Sequence, residues 1–150
     1  MFIIILNLMK NDFVHLHLHS QYSLLDGAIK FDELFDEVAR QGMSAVALTD
    51  HGNLFGAYDF YKLGKKNNIK PIIGCEVYIT KDRTKKTPEN NKTHHLTVLC
   101  MNIKGYENLC SLVSTGHLEG FYRKPRIDRE LLFEKSEGLI VLSGCLNSEV

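Results

Sequence analysis

Residues 14–27, VHLHLHSQYSLLDG, set His15, His17 and His19 in alternation with Val14, Leu16 and Leu18, and place Asp26 seven positions after the last histidine. In a strand, positions i, i+2 and i+4 face the same way, so the three imidazoles share one face and the aliphatic residues the other. Two strand residues advance about 6.6 Å, so neighbouring histidines of the trio can serve one ion or a close pair, while the outer two, about 13 Å apart, cannot meet on one ion. Imidazole is the commonest metal ligand. A single histidine in this setting reads as the polar face of an edge strand; three in alternation favour metal.

Other segments point the same way. The apolar run SAVALT, 44–49, leads into Asp50-His51-Gly52-Asn53; PIIG leads into Cys75-Glu76; LIVLSG, 139–144, leads into Cys145. Each run delivers a His, Asp, Glu or Cys at or near its C-terminal end, the end at which α/β folds gather their chemistry. Taken singly, each has a plainer reading: Asp50 as a turn residue, Glu76 as a surface carboxylate, Cys145 as a small buried hydrophobe. Cys100 and Cys110 lie on apolar stripes and read as core. His117, near a helix end, reads as capping or exposed. His94 and His95 precede a strand, so on a parallel strand His95 would sit on the wrong rim. An antiparallel return after 70–79 would instead bring it beside Glu76; a loop climbing over the rim is the other possibility.

The elements that must position these residues follow from pattern. Residues 13–18 read as a strand. Phe31, Leu34, Phe35, Val38 and Ala39 form the stripe of a helix over 31–41, ended by Gly42. SAVALT reads as a buried strand, and Asn53 as the cap of a helix over 54–67. Strands over 70–79 and 95–100 flank a polar loop, 81–92. A helix over 106–115, a short helix capped by Asp128 and ended by Gly138, and a strand over 139–144 complete the order. Strands alternating with helices predict a largely parallel α/β sheet or barrel. A whole parallel barrel needs over roughly 200 residues, so this chain of 150 is expected to cover part of one.

Composition narrows the class. Apolar residues make up 44% and charged residues 24%, as in a globular domain, and 18 basic residues balance 18 acidic ones. Bulk charge gives no reason to expect a nucleic-acid binder, although a local patch suffices for one. Four irregularly spaced cysteines without a C-x-x-C pair fit a reduced cytoplasmic protein. The opening MFIIILNLMK is too short for a bilayer span and lacks signal-peptide flanks. It reads as a leader or an edge strand over 1–12, with Met9 an alternative start, and the domain as 13–150.

His17-x-His19, Asp26, the T-D-H-G-N of 49–53, the G-C-E of 74–76 and the H-L-T-V-L of 95–99 together resemble the PHP family, named for polymerase and histidinol phosphatase. TDHGNLFGA, IKPIIGCEVY and LEGFYRKPRID narrow the likeness to the PHP domains at the N-terminus of bacterial DNA polymerase III alpha subunits. The resemblance covers about residues 13–148. It implies a distorted TIM-like barrel of seven strands, partial here, and a site for up to three divalent ions, zinc or manganese. It puts His17, His19, Asp26, His51, Glu76, His95 and Cys145 among the ligands, leaves His15 outside them, and gives Asp50 the task of orienting His51. A closing Asp-x-His motif and the polymerase catalytic regions are expected beyond Val150.

For intact members the resemblance implies metal-dependent phosphoester hydrolysis in the form of a 3′–5′ exonuclease that proofreads new DNA, since metal ions lower the pKa of a bound water and offset charge on the leaving oxygen. It also implies DNA, the rest of the alpha subunit, a separate proofreading exonuclease and other replisome components as partners. Two alternatives stand beside it. One is a non-catalytic module that docks the separate exonuclease, as where family members have lost their ligands. The other is a free-standing phosphoesterase, against which LEGFYRKPRID argues. The basic loop 81–92 could touch a DNA backbone or simply be solvated.

Overall fold

A computed structural model describes residues 13–24 and 26–143. The leader 1–12 and Cys145 lie outside them. The elements run α1 (Phe31–Arg40), β1 (Ala45–Leu48), α2 (Ala57–Lys66), β2 (Lys70–Ile79), β3 (His94–Cys100), α3 (Ile103–Leu118), β4 (Arg126–Ile127), α4 (Arg129–Glu134) and β5 (Leu139–Leu142). A short 3-10 turn, Pro88–Asn90, lies in the loop before β3.

The chain is α/β, with strands ordered β1-β2-β3-β5. β1 runs parallel to β2, and β4 adds a second parallel partner at the far end of β2, pairing Tyr78 with Arg126. β3 is the reversed strand, antiparallel to both β2 and β5. The largely parallel expectation therefore holds with one exception, and that exception settles the placement of His95. The polar loop 80–93 contains no crossover helix, so β3 returns as a hairpin-like neighbour and His95 pairs with Tyr78.

β2 organises two cores by its alternation. Cys75, Val77 and Ile79 point to one side and pack with Leu96, Val98, Leu109, Leu112, Ile127, Leu131 and Leu132 beneath α3 and α4. Glu76 and Tyr78 point to the other. A second core joins Phe31, Phe35 and Val38 of α1 with Phe60 of α2 and Val46 and Leu48 of β1. Both helices owe their placement to these apolar stripes more than to caps, since neither α1 nor α2 has a side-chain cap. Asn102 and Asp128 do cap α3 and α4, accepting from the Gly105 and Leu131 amides.

Three local expectations need correction. Asn53 does not cap α2: its Oδ1 accepts from the Phe55 amide and its amide donates to the Tyr22 and His51 carbonyls, so the helix starts later, at Ala57. Residues 13–18 form no regular strand. The Ala47 amide donates to the His15 carbonyl and the Thr49 amide to the Leu18 carbonyl, so three residues of one segment face two of the other. This bulge is held by the Thr49 hydroxyl, which accepts from the Leu18 amide at 2.8 Å. α4 ends at Glu134, before Gly138, which takes φ 75° in the turn into β5.

Candidate metal centre

The centre is built around Glu76. Its carboxylate is 2% exposed and surrounded by imidazoles. His17 Nε2 lies 2.8 Å from Oε2 and His19 Nε2 3.5 Å from the same oxygen. His51 Nδ1 lies 2.8 Å from Oε1 and His95 Nδ1 3.5 Å from that oxygen. One buried carboxylate thus divides four histidines into two pairs, one pair per oxygen. Asp26 joins through His51, whose Nε2 is 2.9 Å from Oδ2.

Backbone pairing explains the convergence. β1 and β2 pair with Ala45 opposite Lys70 and Leu48 opposite Ile73, and after a two-residue interruption His51 bridges to Glu76 in the same register. The Glu76 amide donates to the Asp50 carbonyl and its carbonyl accepts from the Gly52 amide. Side chains at paired positions point the same way, so this ladder sets His51 against Glu76. His95, paired with Tyr78, is the diagonal neighbour of Glu76 on that face. His17 and His19 arrive from the bulged segment, and their rings are 4.8 Å apart. The His19 ring stacks on that of His51 at 4.0 Å. His15 is exposed and sits against Phe13, outside the group around Glu76.

The residues present fit a cation. Among the described residues, His17, His19 and Glu76 offer ligand atoms within 4.8 Å of one another, a group able to hold a metal ion. His19 Nδ1 is buried with no hydrogen-bond partner. His51 faces a carboxylate on each ring nitrogen, Glu76 at 2.8 Å from Nδ1 and Asp26 at 2.9 Å from Nε2. Burial, with His51 beside it, holds His19 below its ordinary pKa of 6.5 and keeps it in the neutral form that ligates. The His51 hydrogen bond lowers the Asp26 pKa. Burial raises Tyr78, whose ring lies 6.3 Å from that of His51, to about 12.

Asp50 does not face the His51 ring. Its buried carboxylate accepts from the Ser20 amide at 2.6 Å, the Ser20 hydroxyl at 2.8 Å and the Ser23 hydroxyl at 2.6 Å. These three donors bind the loop that carries Asp26. Asp50 reaches His51 only through Ser23, whose Oγ accepts from the His51 amide. Sequence reasoning missed Ser20 and Ser23, and also His117, whose Nε2 meets the Gly52 carbonyl at 2.8 Å. Tyr78 was legible as the residue two beyond Glu76 on the same strand face. His117 had no local signal, because its partner is 65 residues away.

The loop 81–92 is tied down by Arg126, a fully buried guanidinium that donates to the carbonyls of Arg83, Lys85, Asn90 and Gly120. Arg83 is also bound, to Asp128 and Glu119. Among the described residues, no helix is long and apolar enough to cross a membrane.

Comparison with known proteins places this arrangement. A DNA polymerase III subunit alpha from Aquifex aeolicus is 54% identical over 146 residues, covering 92% of this chain and 13% of that protein. Those from Helicobacter pylori and Thermus aquaticus are 52% and 49% identical, covering 11% and 12% of their lengths. The chain therefore spans about an eighth of the curated relatives it matches. Among solved structures, an amidohydrolase from Chromobacterium violaceum with bound sulfate and no metal superposes with a TM-score of 0.51 at 24% identity, over 68% of this chain and 32% of that one. That likeness is one of fold, a partial TIM-like barrel. The family model described as PHP domain matches residues 15–150, a range that includes every histidine and carboxylate of the cluster, and the chain belongs to the PHP domain family.

Proposed function

We propose that this chain is the PHP region of a DNA polymerase III alpha subunit, and that its histidine–carboxylate centre serves metal-dependent phosphoester hydrolysis, as a 3′–5′ exonuclease acting on DNA. The observation that carries the reading is the convergence of four imidazoles on the two oxygens of Glu76. The kinship with replicative polymerase subunits supports the DNA substrate.

His17, His19 and Glu76 would hold a divalent ion, and His51, His95 and Asp26 would join them in holding further ions. The mixed nitrogen and oxygen donor set suits zinc or manganese. Cys145 remains a proposed ligand. Such ions supply Lewis-acid activation and offset the charge that develops on phosphoryl and leaving oxygens. The protein's part is to hold His19 neutral and the imidazoles oriented. Burial does the first at His19, and the ladder around Glu76 does the second for His51. Asp26, at the exposed side of the cluster, is placed to accept a proton from the incoming water nucleophile.

The proposed partners are DNA, the remainder of the alpha subunit and a proofreading exonuclease subunit, in the cytoplasm. The test is elemental analysis of the purified chain together with degradation of a 5′-labelled single strand of DNA. The reading expects zinc or manganese in the wild type, its loss in a His17→Ala, His19→Ala double variant, and shortening of the strand from its 3′ end only with metal. Absence of metal and nuclease activity both from this chain and from one extended through the expected Asp-x-His motif would turn the assignment towards the docking module.

A further inference from the structure

The turn Phe121–Lys124 lies beside the centre and has no part in the account above. The Tyr122 amide donates to the Lys124 carbonyl, closing a tight turn at Arg123, which adopts φ 64°, a left-handed conformation that costs an L residue energy. Strain of this kind persists only where surrounding structure over-determines it. Here three contacts do so. The buried Arg126 holds the Gly120 carbonyl on one flank. Pro125 packs on Gly52, at the turn following His51, so closely that a Cβ there would meet its Cγ at 2.6 Å. Lys124 Nζ lies 4.4 Å from the centroid of the Tyr78 ring, the ring that stacks beside His51. Arg123 and Lys124 are exposed, and among the described residues neither is paired with a carboxylate. Phe121, which opens the turn, is 48% exposed, and its ring lies 6.2 Å from that of His117.

We propose that this turn is a nucleic-acid-gripping rim of the histidine centre, on which Lys124 and Arg123 take backbone phosphates of a single strand and Phe121 stacks against a base. The inference rests on the reading of the centre as a phosphoesterase and adds the residues that would select a polynucleotide over a small phosphate ester. The cation–π contact holds Lys124 against Tyr78, whose ring lies 6.3 Å from that of His51, and leaves its charge unneutralised. Unpaired cations alternating with aromatic rings are what sequence-tolerant binding of single strands requires. The net charge of the chain is zero, so this grip is local and not a property of the whole surface.

The experiment measures binding of a fluorescein-labelled oligothymidylate to the full chain by anisotropy over a range of salt concentrations. It compares the wild type with a variant carrying Arg123→Asn and Lys124→Gln. Asparagine tolerates the left-handed conformation, both sites are exposed, and the Arg126–Gly120 and Pro125–Gly52 contacts that hold the turn remain in the variant. The double variant should bind about tenfold more weakly, and the slope of log affinity against log salt should fall by about 1.4, the contribution of two phosphate contacts to a single strand. Phe121→Ala should weaken binding with no change in slope. Equal affinity and slope in wild type and double variant would overturn the proposal. So would displacement of the oligonucleotide by inorganic phosphate at an equal concentration of phosphate groups, which would mark a small-anion site. Metal content is measured on the same samples: its absence from the wild type counts against the centre, whereas an unchanged salt slope counts against the rim.

Discussion

His51 and Glu76, 25 residues apart, are bridge partners in one parallel register, and that backbone pairing sets the His51 Nδ1 atom 2.8 Å from the Glu76 carboxylate. The contact between the two side chains is a consequence of the sheet, so it exists before any ion is bound. The other imidazoles and Asp26 are arranged around this fixed pair.

Glu76→Gln keeps the size of the side chain and removes its charge, while turning an amide NH2 towards one pair of imidazoles. The variant is expected to fold and to lose metal to background levels after dialysis, measured by elemental analysis. His15→Ala, at an exposed ring outside the cluster, is expected to leave metal content at the wild-type level. Equal losses in both variants would contradict a centre organised by Glu76.

The depressed pKa of His19 makes a pH prediction with a definite sign. Its folded-state value lies below the ordinary 6.5, so the folded chain binds fewer protons at that site than the unfolded chain. The contribution to stability is present above pH 6.5 and is lost as the pH falls through the depressed folded value. NMR titration of the metal-free chain should show the His19 ring protons moving with a midpoint below 6.5. A midpoint at or above that value would remove the argument that burial keeps the ring neutral.

Gly52→Ala tests the turn that presents His51. Gly52 has φ 57°, and an added Cβ would meet Pro125 Cγ at 2.6 Å. The left-handed backbone alone costs an L residue about 1–2 kcal/mol, and the clash adds to it. Urea denaturation should show a loss of at least that size, and metal affinity should fall with it because the next residue back is His51. A variant as stable as the wild type would mean that the 121–125 turn does not press on Gly52.

Arg126→Met removes a buried guanidinium and leaves the carbonyls of Arg83, Lys85, Asn90 and Gly120 without that donor. Unsatisfied buried groups of this kind make the expected loss roughly 3 kcal/mol or more. Limited proteolysis should cut first within 81–92, the segment the guanidinium ties down. Cleavage elsewhere with 81–92 intact would assign the anchoring to the Arg83–Asp128 pair instead.

Asp50→Ala removes the acceptor of three hydrogen bonds and leaves the Ser20 amide and two hydroxyls buried. The expected cost is about 3 kcal/mol. Because the effect passes through the loop carrying Asp26, the signature to seek by NMR is a disturbed Asp26–His51 contact with the Glu76–His95 side unchanged. Disturbance confined to the His51 ring would restore the direct orienting role.

Local chemistry was enough for much of this protein. The stripe of Phe31, Leu34, Phe35 and Val38 identifies α1 because one apolar face of a helix has a period that no strand shares. The apolar runs of β1 and β2 and the cap at Asp128 are readable for the same kind of reason, since each depends on residues within a few positions. The motifs from His17 to His95 nominated a set of side chains, and their types named the chemistry. Tertiary structure decided what depends on partners far along the chain. The direction of β3 could not be read, because the loop before it has no pattern that forces either return, and only the antiparallel pairing brings His95 to Glu76. The bulge at 15–18 was hidden, since alternation looks the same whether or not a ladder forms; the Thr49 hydroxyl, some thirty residues on, makes the difference. Asp50 binds serines and Arg126 binds backbone carbonyls because burial obliges a charged group to take whatever donors or acceptors the fold sets around it. Sequence names the charged group, and the packing of distant segments selects its partner.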